Sequence, residues 1–137
     1  MKKNSLTLLA GIMFLLAVVS AKAQSSLPPS IKKGTIKVTI LYPNGEGKKF
    51  DMEYYTQKHF PMLRSLFGSA LKATAIDKGL TAGSPGTPLP FLAIGYLYFD
   101  SAAAFQDGMK TYATKIRADV PNYTNITPII QISEVVE

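Results

Sequence analysis

Apolar and polar residues recur along this chain with two different periods, and the changes of period predict six elements. Residues 35–42 and 70–78 alternate apolar and polar side chains, as strands with one buried face do. Residues 91–99 are apolar or glycine throughout, which indicates a central strand buried on both faces. Residues 129–136 form the last predicted strand. The lysines of the second strand suit exposure, so we expect it at a sheet edge.

A first amphipathic helix follows the first strand. It begins at Asp51, whose carboxylate can accept a free backbone N–H of the opening turn, and it stops near Gly68. Pro61 lies inside this helix, where it lacks an N–H and its ring crowds the carbonyl of the preceding turn. We therefore expect a kink or a tightened turn at Pro61, with Phe60 pushed away from helical dihedrals.

A second helix follows the third strand, with Ser101 or Asp100 as its cap. Its inward side chains recur with a spacing of four, three and four. These side chains are Phe105, Met109, Tyr112 and Ile116. Residues 118–127 contain proline and two asparagines, and we expect them to form a loop.

The predicted order is β-α-β-β-α-β, the split βαβ arrangement of ferredoxin-like α+β folds. Right-handed crossovers put both helices on one face of a four-stranded antiparallel sheet and leave the other face bare. Residues 91–99 supply apolar side chains to that bare face as well, and a large exposed apolar patch needs a partner. We therefore expect two copies to pair sheet against sheet as an isologous homodimer, a dimeric α+β barrel.

The N-terminal residues 1–23 have the features of a signal peptide. Two lysines precede an apolar run over residues 6–19, and an Ala-Lys-Ala cleavage site ends at Ala23. The apolar run is short for a membrane span, so we expect an exported, periplasmic or secreted product without a stable membrane anchor. Residues 24–34 are polar and contain prolines, which predicts a flexible lead before a single domain over residues 35–137.

Composition limits the function classes. Cleavage removes Lys2, Lys3 and Lys22 and lowers the formal net charge from +6 to +3. The remaining basic residues are scattered, whereas nucleic-acid binding requires a clustered basic stripe. The chain has no cysteine, which excludes a disulfide framework and a lipid anchor of the bacterial lipoprotein type. We expect neither a nucleic-acid partner nor a disulfide contribution to stability.

The single histidine, His59, is the candidate for chemistry. It lies four residues after Tyr55 on the inward face of the first helix, beside the irregularity expected at Pro61. An imidazole with an ordinary pKa can accept or donate a proton near neutral pH. A pocket that uses it would lie between the helices and the sheet of one subunit. The structural alternative is a histidine bonded to a backbone carbonyl, with Tyr55 as a packing residue and Asp51 as a helix cap only.

The segment around His59 resembles the signature of the EthD family, named after a protein of ethyl tert-butyl ether degradation. The similarity continues at residues 99–101, at Phe105 and over residues 128–135, and it extends over residues 35–137. The residues that carry the signature are Phe50, Asp51, Tyr54, Tyr55, His59, Pro61 and Leu63.

This resemblance implies a dimeric α+β barrel and chemistry of the isomerase, dehydratase, cyclase or cofactor-free oxygenase type. Two hypotheses follow from it. In the first, His59 is a general acid and base for a small hydrophobic carbonyl compound, and Tyr55 orients His59 or the substrate. In the second, the protein binds a small molecule, or serves as an accessory module, without chemistry of its own. The export signal motivates this alternative, because relatives with catabolic or biosynthetic roles act mostly inside cells.

Other kinds of site lack their signals. One histidine and no cysteine disfavour a protein-only zinc site, so we expect no metal. No glycine-rich phosphate cradle precedes a helix, and no nucleophile elbow is present. We expect no cofactor. Haem bound through His59 alone stays open, because related barrel families include haem enzymes.

Overall fold

The computed structural model describes residues 31–137; the predicted signal peptide and residues 24–30 lie outside this part. The element order within it is β-α-β-β-α-β, as predicted. The strands are β1 (Ile36–Pro43), β2 (Leu71–Lys78), β3 (Phe91–Phe99) and β4 (Ile129–Glu134). The helices are α1 (Met52–Tyr54), a π-helical turn (Tyr55–His59), α2 (Phe60–Phe67) and α3 (Ala102–Asp119), with short 3₁₀ turns at Gly68–Ala70 and Val120–Asn122.

The four strands form one antiparallel sheet in the order β2-β3-β1-β4, so the ferredoxin-like α+β fold is confirmed. Strand β2 lies at an edge, and β3 lies between β1 and β2, as expected. Within β3, Ala93, Leu97 and Phe99 are buried against the helices. The alternate residues on the other face are only half-buried. The second buried face that the sequence predicted for β3 is therefore incomplete in a single chain.

Aromatic side chains dominate the core between the helices and the sheet. Rings from the sheet and from the first helix pack edge to face, with centroids 4.7 to 5.5 Å apart for Tyr42, Phe50 and Tyr55. The largest fully buried side chains are Tyr42, Tyr55, Phe60, Phe99, Leu63 and Val38. This packing fixes the first helix over β1 and β3, and His59 lies on that helix.

The expected irregularity is present, but it differs from the one predicted at Pro61. The helix widens over the five residues Tyr55–His59, and the backbone N–H of Phe60 donates to the carbonyl of Tyr55. Phe60 keeps helical dihedrals, with φ −66° and ψ −39°, so the prediction that it leaves them is wrong. Pro61 falls in the first turn of α2, where a missing N–H leaves no bond unmade. The extra residue of the π turn absorbs the proline, and a kink is not needed.

Both helix caps agree with the sequence. The Asp51 carboxylate accepts from the Tyr54 N–H at 2.9 Å, and the Ser101 hydroxyl accepts from the Ala104 N–H at 3.2 Å. The predicted loop over residues 118–127 is partly wrong. Helix α3 continues to Asp119 and passes into a 3₁₀ turn, because Pro121 is tolerated at the start of that turn.

Within residues 31–137, no helix combines the length and the apolar composition that crossing a bilayer requires.

We predict that Gly95→Ala in β3 destabilises the fold by about 1 to 3 kcal/mol. A Cβ at Gly95 would lie 2.4 Å from the Tyr55 hydroxyl oxygen and 3.0 Å from the Phe60 ring. Neither ring has room to move, since both side chains are fully buried. Chemical denaturation monitored by circular dichroism measures the change. Gly83→Ala is the matched control, because a Cβ there meets nothing within 4 Å. Equal stability of the two variants would contradict this account of the core.

Candidate active site

His59 is a buried residue that is held by a carboxylate. It lies at the end of the π turn and is 3% exposed. Its Nδ1 atom lies 2.7 Å from Oδ2 of Asp119, the last residue of α3. The bond joins residues sixty positions apart. Asp119 was not predicted as a site residue, because it lies in the segment 118–127 that was expected to form a loop.

Asp119 is itself oriented by three donors. Besides His59, the Tyr54 hydroxyl donates to its Oδ1 atom at 2.8 Å, and the Asn122 amide donates to the same oxygen at 3.0 Å. Partial burial alone would raise the pKa of Asp119, but the bonds from His59, Tyr54 and Asn122 hold that pKa below its ordinary value. The carboxylate is therefore charged at neutral pH and fixed in direction.

The charge state of His59 follows from two opposing effects. Burial lowers the pKa of His59, while the bond to Asp119 and its negative charge raise it, and the net effect is a pKa below the ordinary value. The imidazole is thus neutral at neutral pH. Asp119 has only acceptor atoms, so Nδ1 carries the proton and donates it. The Nε2 atom then has a free lone pair, which is the form that a general base requires.

One tyrosine hydroxyl lies near Nε2 of His59, and a second tyrosine hydroxyl is bonded to the first. The Tyr123 hydroxyl is 3.4 Å from Nε2, longer than an ordinary hydrogen bond, and 2.9 Å from the hydroxyl of Tyr42. Burial raises the pKa of Tyr123 and of Tyr42, so both phenols keep their protons at neutral pH. Tyr123 can accept from Tyr42 and donate to a third group at the same time. Tyr123 and Tyr42 were also missed from the sequence.

Tyr55 contacts His59 through its ring and not through its hydroxyl. The two rings stack at 5.5 Å with their planes 12° apart. The hydroxyl points toward Gly95, and among residues 31–137 it has no hydrogen-bond partner. Burial raises its pKa, so it stays protonated. The predicted proximity of Tyr55 and His59 is present, but the polar atom that orients His59 belongs to Asp119.

A cavity of about 410 Å³ lies between α3 and the sheet, in the position predicted for a pocket that uses His59. Its volume is within the range of small-molecule sites. His59, Tyr123 and Tyr42 line it, whereas Asp119 does not. His59 lines the cavity together with Tyr123, whose hydroxyl oxygen lies 3.4 Å from Nε2. Most of the remaining wall is apolar: Val38, Ile40, Leu63, Phe67, Leu97, Phe105, Met109, Ile116, Val120, Ile126, Pro128 and Ile130.

The polar groups do not make a metal-binding set. Within the part of the chain that the structure describes, no three His, Cys, Asp or Glu residues lie close enough to hold a metal ion. His59 and Asp119 supply two such groups, and the tyrosines beside them are protonated phenols. The arrangement is suited to moving a proton, because a neutral base with a fixed carboxylate behind it lines an apolar cavity together with two phenols.

The chain is similar in sequence and in structure to known proteins. The EthD domain profile matches residues 44–127. A solved EthD-like protein from Ralstonia eutropha JMP134 is 40% identical over 77% of this chain and 96% of its own, with a TM-score of 0.73. An EthD family protein from Bacillus halodurans C-125 is 20% identical over 74% of this chain and 99% of its own, with a TM-score of 0.51.

A Shewanella loihica PV-4 protein, proposed to be a monooxygenase, is 8% identical over 77% of this chain and 98% of its own, with a TM-score of 0.50. At such identities, this protein and the Bacillus one share the fold alone. No functionally curated protein matches the chain. The extent of the EthD match and the 40% identity to the Ralstonia protein show that the chain belongs to the EthD family.

Proposed function

We propose that this protein catalyses proton transfer on a small hydrophobic carbonyl compound, with His59 as the general base and acid. One observation carries the proposal: the 2.7 Å bond from Nδ1 of His59 to Asp119, which leaves Nε2 unprotonated on a residue that lines an apolar cavity. Asp119 is the positioning residue, because it fixes the tautomer and the direction of the ring. The family resemblance implies chemistry of the same kind.

The proton inventory is consistent with this chemistry. Nε2 removes a proton from the carbon next to the substrate carbonyl and becomes an imidazolium, which Asp119 stabilises. The carbonyl oxygen becomes negatively charged and accepts a hydrogen bond from the Tyr123 hydroxyl. The Tyr42 hydroxyl donates to Tyr123 in turn. The imidazolium then returns the proton to the enolate, at the same carbon or at another. Return of the proton to carbon gives an isomerisation. If the substrate has a hydroxyl group β to the carbonyl, the imidazolium can instead protonate that hydroxyl, which leaves as water in a dehydration, and neither reaction consumes an oxidant or a reductant.

A purely structural role for His59 explains fewer of the contacts that His59 makes. A histidine that only stabilises the fold would bond a backbone carbonyl and be surrounded by packed side chains. His59 instead bonds an ionised carboxylate, whose partial burial costs desolvation energy, and His59 lines a cavity. A π turn carries it, and such turns are frequent at functional sites. The Tyr55 ring stacks on the imidazole of His59.

We predict that His59→Gln slows α-proton exchange of 2-tetralone, an apolar bicyclic ketone, by at least about a hundredfold. Proton NMR in deuterium oxide follows the loss of the α-proton signal. Tyr123→Phe should slow the exchange by about a hundredfold as well, because it removes the donor to the enolate oxygen. Lys58→Gln is the control: the residue precedes His59, is exposed and lies outside the cavity wall.

Two outcomes would contradict the proposal. If His59→Gln exchanged the α-protons of 2-tetralone at the full rate, His59 would not be the general base. Binding of 2-tetralone by the native protein, detected as a rise in melting temperature, with no exchange above the buffer rate would favour the alternative of a binding or accessory module.

We also propose that the protein forms a homodimer through the sheet face that the helices leave open. The strand register places Ile129 of β4, Leu41 of β1 and Ile94 of β3 side by side on this face. Ile129 is 55% exposed, and the other two are half-buried. Such an apolar row across three strands is what a second copy of the sheet would cover, giving an isologous dimeric α+β barrel.

We predict that Ile94→Lys converts the dimer to a folded monomer, measured by sedimentation velocity. The substitution places a charge in the apolar row, while Asp77, paired with position 94 across the sheet, can neutralise it within one chain. Leu80→Lys is the control, because Leu80 is 86% exposed in the loop after β2. A native protein that sediments as a monomer, or a variant that remains dimeric, would contradict the proposed interface.

Export is a further part of the proposed function. It is supported by the basic start, the apolar run and the small-residue cleavage site within residues 1–23. We propose that the domain acts outside the cytoplasm, in the periplasm or as a secreted protein.

A further inference from the structure

The polar residues of the cavity wall differ in their exposure to solvent. His59, Tyr123 and Tyr42 are each at most 3% exposed. Arg117 and Thr127, which also line the cavity, are exposed and mark the rim. The rest of the wall is apolar. A molecule that fills the cavity would therefore meet buried hydrogen-bonding groups and, where the cavity opens to solvent, a cation.

Arg117 is the one side chain in the cavity wall with a permanent charge, and no aspartate or glutamate lines the wall. Among residues 31–137, Arg117 has no salt bridge. Asp119, two residues later, is bonded to His59, and residues two apart on a helix do not face each other. The rim thus has positive charge without a counter-ion from the described part of the chain.

Arg117 also has a structural role, but that role does not explain why its side chain lines the cavity. A cation in the last turn of a helix stabilises the helix dipole, and Arg117 is in the last turn of α3. That role requires a position near the helix end and no contact with a cavity. Lys115, two residues earlier and also exposed, lies outside the cavity wall. A comparison of Lys115 with Arg117 therefore distinguishes a cation that is only near the end of α3 from a cation that lines the cavity.

We propose that Arg117 binds the carboxylate of an apolar oxo acid whose carbonyl group reaches His59 and Tyr123. The guanidinium matches a carboxylate with two parallel N–H donors, and the apolar wall holds the body of the molecule. The identification of this acid as the substrate rests on the proposed function of His59. The recognition of the carboxylate by Arg117 is independent of any reaction.

The test compares 4-oxo-4-phenylbutanoate with 4-oxo-4-phenylbutanamide, which have the same shape and differ in charge. Isothermal titration calorimetry at low salt should show that the native protein binds the acid roughly fivefold more tightly than the amide, the upper end for a solvent-exposed ion pair. Arg117→Gln should bind both compounds equally. Lys115→Gln should keep the preference, and added salt should reduce it.

Three results would overturn the proposal: equal affinities in the native protein, a preference that persists in Arg117→Gln, or no binding of the acid at millimolar concentration. The native protein itself separates this proposal from the proposed reaction. A native protein that shows the preference and never exchanges an α-proton would refute the acid–base function and leave anion recognition intact.

Discussion

The bond between His59 and Asp119 is the interaction on which the site depends. It links the π turn of the first helix to the last residue of α3, and its length of 2.7 Å is that of a strong, charge-assisted hydrogen bond. Tyr54 and Asn122 also donate to the Asp119 carboxylate, so this one group connects the first helix to the end of α3. The position of His59 over the cavity is consequently set by side chains from both helices.

The chemistry of the site follows from a balance between burial and charge. Burial makes the imidazole neutral, and the carboxylate fixes which of its nitrogens has the proton. The same burial keeps the phenols of Tyr42 and Tyr123 protonated, so they can only share or donate protons at neutral pH. One base and two donors result, without a metal ligand set in the described residues.

Local patterns were sufficient to predict the fold and to select His59 as the candidate for chemistry. Alternation predicted β1 and β2, an unbroken apolar run predicted β3, and helical spacing predicted both helices. The caps at Asp51 and Ser101 depend on residues three positions away. The details around Pro61 could not be predicted, because the competition between a kink and a π turn is decided by the packing of Phe60 and Tyr55 in the core.

The partners of His59 could not be predicted for a related reason. Asp119 and Tyr123 are sixty and sixty-four positions away along the chain, in a segment whose proline and asparagines are typical of loops. No local period marks a carboxylate that will meet a distant imidazole. One signal was available: an acidic residue near a helix C-terminus, where a negative charge opposes the helix dipole and needs another reason to be there. Asp119 is such a residue.

The most direct test of this account is a nitrogen-15 NMR titration of the histidine ring, which gives unambiguous signals because the chain has one histidine. We expect a neutral ring with its proton on Nδ1 at pH 7, and a titration midpoint below the ordinary value of about 6.5. Since burial favours the neutral form, the stability that His59 contributes should be present above that ordinary value and be lost as the pH falls through the lowered pKa. An imidazolium at pH 7, or a neutral ring protonated on Nε2, would contradict the account.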